Sequence, residues 1–350
     1  MTSVAVLWQA MSGYFNACLK ALATTRDVSV AVAYEAASAE APFEESQFAW
    51  LSPSYRWQKA PQAALVRKLL SEARPDMVLV SSWHIAEYRA VLREIGRPVP
   101  RILCMDNQWR GTAKQWLGRL TWRQFIRPYF DGVFVPGDRQ AWFARRLGFR
   151  TEHVMRGLYC ADTSAFLPPA ARADERQDSF LFAGRLVKEK GIAVLAEAYV
   201  LYRELVAEPW PLLIAGTGPE LDSLRGIEGV RLLGFLQPSD LPAAMWSATA
   251  MLCPSLFEPW GVVIHEAASA GLVIVCSEAV GAGVHLVQDG YNGFVVPTGN
   301  ATDLAKSMRA VTNMSKEQRR VMSAASLSLS GQFSPDRWAA YVIEMLEWNS

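Results

Sequence analysis

Short β-branched runs separated by longer amphipathic segments constrain this chain more than any other feature. Val4–Leu7, Val28–Ala33, Met77–Val80, Ile102–Met105 and Val133–Val135 read as buried strands, with helical patterns such as Ala60–Glu72 and Ile85–Ile95 between them. A parallel sheet covered by helices requires that alternation. The pattern restarts at Ser179–Ala183 and runs on through Pro211–Ala215, Val230–Leu233, Ala250–Cys253 and Val273–Cys276. A length of 350 residues also exceeds what one hydrophobic core holds. The expectation is two doubly wound, Rossmann-like α/β domains that face a central cleft. The stretch Leu167-Pro168-Pro169-Ala170-Ala171-Arg172 is the most linker-like and places the domains at residues 1–165 and 175–333. A final helix over Pro335–Trp348 opens with Ser334 as N-cap and a proline at its first position.

Composition excludes several classes. With 51% hydrophobic and 20% charged residues the chain can offset its ordering entropy throughout. No run approaches the ~18 apolar residues that span a bilayer, and the N-terminus enters Val4-Ala5-Val6-Leu7 without a basic leader. A protein that neither spans a membrane nor is exported is expected. Cys18, Cys104, Cys160, Cys253 and Cys276 show no Cys-x-x-Cys spacing and no histidine pair beside them, so no disulfide framework, zinc site or other metal is read. Reduced thiols of a cytoplasmic protein are the expectation. The net charge of +1 hides an opposition: residues 1–160 carry 21 Lys+Arg against 13 Asp+Glu, and residues 161–350 carry 14 against 21. The basic half suits an anionic partner, while the acidic half argues against a nucleic-acid channel through both.

Ligands of doubly wound sheets lie beyond the carboxyl ends of the strands, so the loops there carry the chemistry. The run Phe182-Ala183-Gly184-Arg185 to Lys190-Gly191 leaves a strand and opens a helix at Ile192. Gly184 permits a tight exit, and Arg185 and Lys190 bring two cations to a helix N-terminus that already favours phosphate. A solvated basic loop is the bland alternative. Ala215-Gly216-Thr217-Gly218-Pro219 is a second Gly turn, without the third glycine of a dinucleotide fingerprint, and reads as a tight turn near a ligand or as a plain connection. Ser255 to Gly271 places Glu258 in a loop after a strand and Glu266 in the helix that follows Gly261. At ~1.5 Å per helical residue the two carboxylates stand on the order of 10 Å apart, too far to share a proton or a metal and suited to a sugar nucleotide.

These motifs, with Leu233-Gly234-Phe235 and Asp289-Gly290-Tyr291-Asn292-Gly293-Phe294, resemble the retaining, family 4 type of glycosyltransferase with a GT-B fold. The resemblance covers most of residues 180–300, and continues more weakly through Gly13 and Arg156–Thr163. It implies that a nucleoside diphosphate sugar is the donor, held on the second domain without cofactor or metal. The acceptor would enter over the first domain, and segment 334–350 would pack back upon that domain. Arg185 and Lys190 match the pair that holds pyrophosphate, Glu258 the carboxylate on donor-sugar hydroxyls and Glu266 the one on ribose. Gly261, Val262 and Gly13 match positions whose backbone approaches donor. Relatives often carry a histidine where Ile102-Leu103-Cys104-Met105-Asp106-Asn107 places Asp106. His84 ends another strand, His285 stands where relatives often carry an acid, and His265 reads as packing. A non-catalytic binding subunit, or an epimerase or hydrolase on the same fold, is the rival reading.

Residues 108–130 hold Arg110, Lys114, Arg119, Arg123 and Arg127 with no acid, among Trp109, Trp116, Trp122, Phe125, Tyr129 and Phe130. Arg119, Arg123 and Arg127 fall on one i, i+4 stripe. This suits an anionic membrane surface, where Trp and Tyr prefer to lie, and with it a lipid-linked saccharide acceptor of a bacterial surface polysaccharide. A partly buried helix with a solvated cationic edge is the alternative; RNA lacks any recognised module. The corresponding location is cytoplasmic, peripheral on the inner face of the membrane.

Overall fold

The computed structural model describes residues 2–25, 27–36, 44–95, 99–169 and 176–349. The chain divides into two compact units, Met1–Cys160 with Phe333–Ser350, and Ala161–Gln332.

In the first unit the strands are β1 (Thr2–Ala10), β2 (Val28–Glu35), β3 (Ser54–Trp57), β4 (Met77–Val80), β5 (Arg101–Cys104), β6 (Gly132–Val135) and β7 (Val154–Arg156). They form one parallel sheet in the order β3-β2-β1-β4-β5-β6-β7. Both faces are covered, which is why β1 reads as a continuous apolar run: Ala5 and Leu7 enter one core layer, Val4 and Val6 the other. The second layer takes the helix Gly13–Thr24 and the helix Pro335–Leu346. Ser334 caps the latter by accepting from Arg337 N, and Pro335 occupies its first turn. Trp338, 1% exposed, stands edge-on to Phe15 at 5.7 Å and donates its indole N–H to the Leu158 carbonyl at 2.9 Å.

In the second unit β8 (Phe180–Ala183), β9 (Leu212–Ala215), β10 (Val230–Gly234), β11 (Ala250–Cys253), β12 (Val273–Ser277) and β13 (Gly293–Val296) form a parallel sheet in the order β10-β9-β8-β11-β12-β13. Helices Ile192–Leu205 and Ala301–Thr312 pack on one face through Leu195, Tyr199, Leu304 and Met308.

The division between units falls earlier than the proline-rich stretch. The helix Thr163–Phe166 already belongs to the second unit, where the Phe166 carbonyl accepts the Trp246 indole N–H at 2.7 Å. Residues 170–172 of that stretch lie outside the described residues. Three strands escape the hydrophobic pattern. β3 is an edge strand with Ser54 and Arg56 exposed, β7 is three residues of edge, and β13 begins with Gly293, where a Cβ would meet the Ile274 carbonyl oxygen at 1.8 Å.

Candidate functional site

A doubly wound sheet opens where its strand order reverses. In the second unit that point lies between β8 and β11, and the loops leaving these two strands bring Lys190 and Glu258 together. The Lys190 ammonium donates to Glu258 Oε2, and the two side chains are only 21% and 11% exposed. The loops are also tied by backbone: the Glu189 carbonyl accepts from Leu256 N at 2.8 Å and Phe257 N at 3.1 Å. Gly191 makes the approach feasible, since its φ of 72° is left-handed and a Cβ there would lie 2.2 Å from the Pro254 carbonyl oxygen. Sequence spacing places both residues in strand-end loops but assigns them separate partners; the structure pairs them. Arg185, in the same loop, is exposed.

Glu258 is itself fixed from behind. Its carbonyl accepts from Gly281 N at 3.0 Å, and a Cβ at Gly261, φ 90°, would meet Glu258 Cγ at 2.9 Å. Glycine at 261 thus makes room for the carboxylate. Val262 opens the helix Val262–Ser269, which carries Glu266. The Glu266 carboxyl is pushed up to about 7 by desolvation, though part of the residue reaches the surface. A raised carboxylate on the helix that follows the Glu258 loop, together with a partly buried ion pair at the open end of the sheet, is the kind of perturbed charge that clusters at binding sites.

Gly216 and Gly218 are required by close backbone approach. Gly216, φ 153°, lies where a Cβ would be 1.9 Å from the Gly184 carbonyl oxygen, and Gly218, φ 154°, where it would be 2.4 Å from that of Leu186. Gly184 N donates to Ala215 O at 2.9 Å and Leu186 N to Thr217 O at 2.8 Å, so the loops after β8 and β9 interlock. Asn292 is wholly buried, accepting from Gln288 N at 2.8 Å and donating to Leu286 O at 2.9 Å. It shapes the turn before β13. His265, also fully buried, accepts from Ala161 N at Nδ1 (2.7 Å), and its Nε2 lies 2.9 Å from Ser330 O. Desolvation lowers it to about 4, so the neutral ring ties the segment entering the unit to the one leaving it. His285 stacks obliquely on Trp260 at 5.6 Å.

In the first unit the strand order reverses between β1 and β4. Gly13 begins the helix after β1, whose N-cap Ser12 accepts from Phe15 N, and His84 is exposed after β4. Asp106 follows β5, half-buried. Burial first, and the Asp106 carboxylate second, hold the Tyr159 hydroxyl well above its ordinary value, so these two residues from loops after β5 and β7 share one environment. Tyr14 adds an edge-on ring 5.6 Å from Tyr159. Both tyrosines were silent in the sequence, because a tyrosine beside a strand end is commonplace.

The basic aromatic span divides. Trp122, Tyr129 and Phe130 are buried, and Trp109 packs at 5.0 Å from Trp116 and 5.7 Å from Phe143. Trp116, Leu117, Leu120 and Phe125 are exposed by 52 to 70% on the helix Ala113–Phe125, which also presents Lys114, Arg119 and Arg123. The stripe of three arginines is broken: the α-helix ends at Phe125 and the chain tightens into a 3-10 turn over Arg127–Tyr129, since Pro128 has no N–H to continue the ladder. Arg127 instead turns over the Phe149 ring at 4.4 Å and donates to the Phe130 carbonyl. Arg110 is exposed, its backbone N–H donating to Gln115 Oε1 at 2.7 Å. No helix among the described residues is long and apolar enough to cross a membrane.

Residues 165–327 match the family model described as glycosyl transferases group 1. The phosphatidyl-myo-inositol mannosyltransferase of Mycobacterium leprae is 30% identical over 211 residues, covering 57% of this chain and 56% of that one. The O-antigen chain mannosyltransferase B of Escherichia coli is 36% identical over 105 residues, 28% of each chain. The chain thus spans about half, or less, of the length of these curated relatives. Among solved structures, Anabaena HepE in complex with UDP and glucose superposes with a TM-score of 0.75 over 97% of this chain and 98% of its own, at 18% identity. That likeness shows the fold, the GT-B arrangement of two parallel-sheet, Rossmann-like units.

Proposed function

We propose that this chain is a retaining, metal-independent glycosyltransferase that moves a sugar from a nucleoside diphosphate sugar to a hydroxyl of a lipid-linked saccharide. The observation that carries the reading is the Lys190–Glu258 pair at the strand-order reversal of the second sheet, with Glu266 on the next helix. Each charge of the pair satisfies the other. On donor binding Lys190, with Arg185, turns to the pyrophosphate and supports the departing diphosphate, while Glu258 accepts hydrogen bonds from sugar hydroxyls. Glu266 accepts from ribose. The acceptor hydroxyl attacks on the face that the diphosphate leaves, and the departing phosphate oxygen takes its proton. Asp106 and Gly13, at strand ends of the first unit, serve the sugar and acceptor side. The match to a family of glycosyl transferases and the names of the two mannosyltransferase relatives support the donor chemistry and a surface-polysaccharide setting; the exposed cationic and apolar helix Ala113–Phe125 supports a peripheral place on the cytoplasmic face of the membrane.

Calorimetry with UDP, GDP and ADP, run beside donor-hydrolysis and transfer assays, tests the reading. Binding of one diphosphate, weakened in Lys190→Ala, together with transfer to a saccharide acceptor is the expected result. Binding without any turnover would make the chain a non-catalytic subunit, and turnover of donor to a rearranged nucleotide sugar would make it an epimerase.

A further inference from the structure

Two consecutive helices of the first unit bring four arginines to one cavity. Arg119 and Arg123 come from the helix Ala113–Phe125, and Arg145 and Arg146 from the last turn of the helix Asp138–Arg146. With Trp142 they line a wide-open surface depression of about 520 Å³, which suits a headgroup reached from the surface rather than an enclosed small ligand. The Arg146 guanidinium carbon lies 3.9 Å from the centroid of the Trp142 ring and 5.2 Å from that of Trp109, cation–π contacts that place its charge. Arg123, itself exposed, lies over Gly148, φ 94°, where a Cβ would be 2.9 Å from Arg123 Nε.

Among the described residues no ion pair joins any of these four guanidinium groups to a carboxylate. Four like charges gathered without a counter-charge repel one another, and the helix C-terminus at Arg146 supplies only partial negative charge. An anion with several oxygens and more than one charge resolves this, and the planar fork of arginine fits phosphate best. The surroundings say where such a phosphate comes from. Leu120 lies about 60° and Leu117 about 120° around the helix from Arg123 at ~100° per residue, and both are 70% exposed. A soluble phosphate needs no apolar neighbours; a phosphate at a lipid surface does.

We propose that the cavity lined by Arg119, Arg123, Arg145 and Arg146 binds the doubly charged phosphate of a membrane lipid headgroup, with Leu117 and Leu120 entering the interface beside it. This rests on the membrane setting of the proposed function and names a lipid contact of the first unit that is separate from the acceptor itself.

The full chain is sedimented with phosphatidylcholine vesicles doped with either phosphatidic acid, a phosphate monoester, or phosphatidylglycerol, a diester, at equal zeta potential. At least tenfold tighter binding to the monoester vesicles is expected. The double variant Arg145→Gln/Arg146→Gln removes that preference, whereas Lys114→Gln, a cation of the same helix outside the cavity, keeps it. Leu117→Ser/Leu120→Ser weakens binding to both vesicle types, and inorganic pyrophosphate competes only at far higher concentration than the lipid. Equal affinity for the two vesicle types, no binding to either, or an unaltered preference in the Arg145/Arg146 variant would overturn the proposal. Pyrophosphate binding as tight as vesicle binding would overturn its lipid part. Circular dichroism and nucleoside diphosphate affinity, measured on the same preparations, show that each variant is folded. Failure of the unaltered chain to bind any nucleoside diphosphate would instead sink the transferase reading, with the vesicle result standing by itself.

Discussion

At Lys190 and Glu258 the charges that would hold a ligand first hold each other, and that coupling makes the pair testable. Removing the ammonium leaves a carboxylate on a side chain only 11% exposed without its cation. Lys190→Ala is expected to weaken nucleoside diphosphate binding by about 1.5–3 kcal/mol, the worth of a charge-assisted contact. It is also expected to lower the unfolding free energy, because a buried charge loses its partner. Adding Glu258→Gln in the same chain should return the stability but not the affinity, a pattern that denaturant melts and calorimetry separate. Glu266 makes a pH prediction. Its folded-state carboxyl titrates near 7, against an ordinary value of 4.5. The proton is therefore bound more tightly when folded, so below the ordinary value the group has no effect. As pH rises toward 7 it destabilises the fold, by up to ~3 kcal/mol above 7. Glu266→Gln should accordingly raise Tm at pH 8 and leave it unchanged at pH 4. If ribose hydroxyls donate to the carboxylate, binding favours the charged form. Nucleotide affinity should then rise from pH 6 to pH 8 with proton release, and Glu266→Gln should flatten that rise; an affinity independent of pH in the unaltered chain would refute the ribose role.

The elements that carry these residues are loops fastened to one another by backbone, so geometry alone already requires several of their glycines. Gly218→Ala combines an unfavourable φ with a clash at the Leu186 carbonyl, and is expected to destabilise by about 1–3 kcal/mol. Gly226, φ 76° with nothing near its Cβ position, should accept Asn within about 0.5 kcal/mol; equal losses at the two sites would contradict the interlocked loops. The same distinction explains how much was legible in advance. Parallel strands buried on both faces announce themselves as apolar runs, so β4 and β11 fall where the hydrophobicity places them. β3, β7 and β13 do not, because edge strands alternate with solvent and a strand opening on glycine has no hydrophobic signature. Strand-end position marked Lys190, Glu258 and Glu266 as candidates, yet no local pattern could show that the first two meet, since they stand 68 residues apart in loops after two strands that only the reversal of strand order makes neighbours. The arginine cavity was half visible for the same reason. Arg119 and Arg123 share one helix stripe, while Arg145 and Arg146 join them only through tertiary packing.

For the molecule as a whole, a ligand that binds only the folded second unit should stabilise it by RT ln(1 + [L]/Kd), ~2.7 kcal/mol at a hundredfold excess over Kd. A thermal-shift series with UDP-, GDP- and ADP-sugars therefore reports the donor base directly, and no shift with any of them would count against the donor reading. The first unit is stabilised differently, by residues from both ends of the sequence. Trp338→Ala removes a side chain packed against Phe15 and hydrogen-bonded to Leu158, and should destabilise that unit by about 3–5 kcal/mol. This arrangement also sets an order of events during synthesis. The second unit is continuous in sequence from Ala161 to Gln332, so it has every residue it needs while the ribosome is still translating. The first unit, though encoded earlier, lacks Trp338, Val342 and Met345 from its core until they emerge. At roughly 5–20 residues per second that interval lasts on the order of ten to thirty seconds. Throughout it the apolar face of the helix Gly13–Thr24 stands uncovered, so the nascent chain presents its most chaperone-dependent surface in the half that was made first.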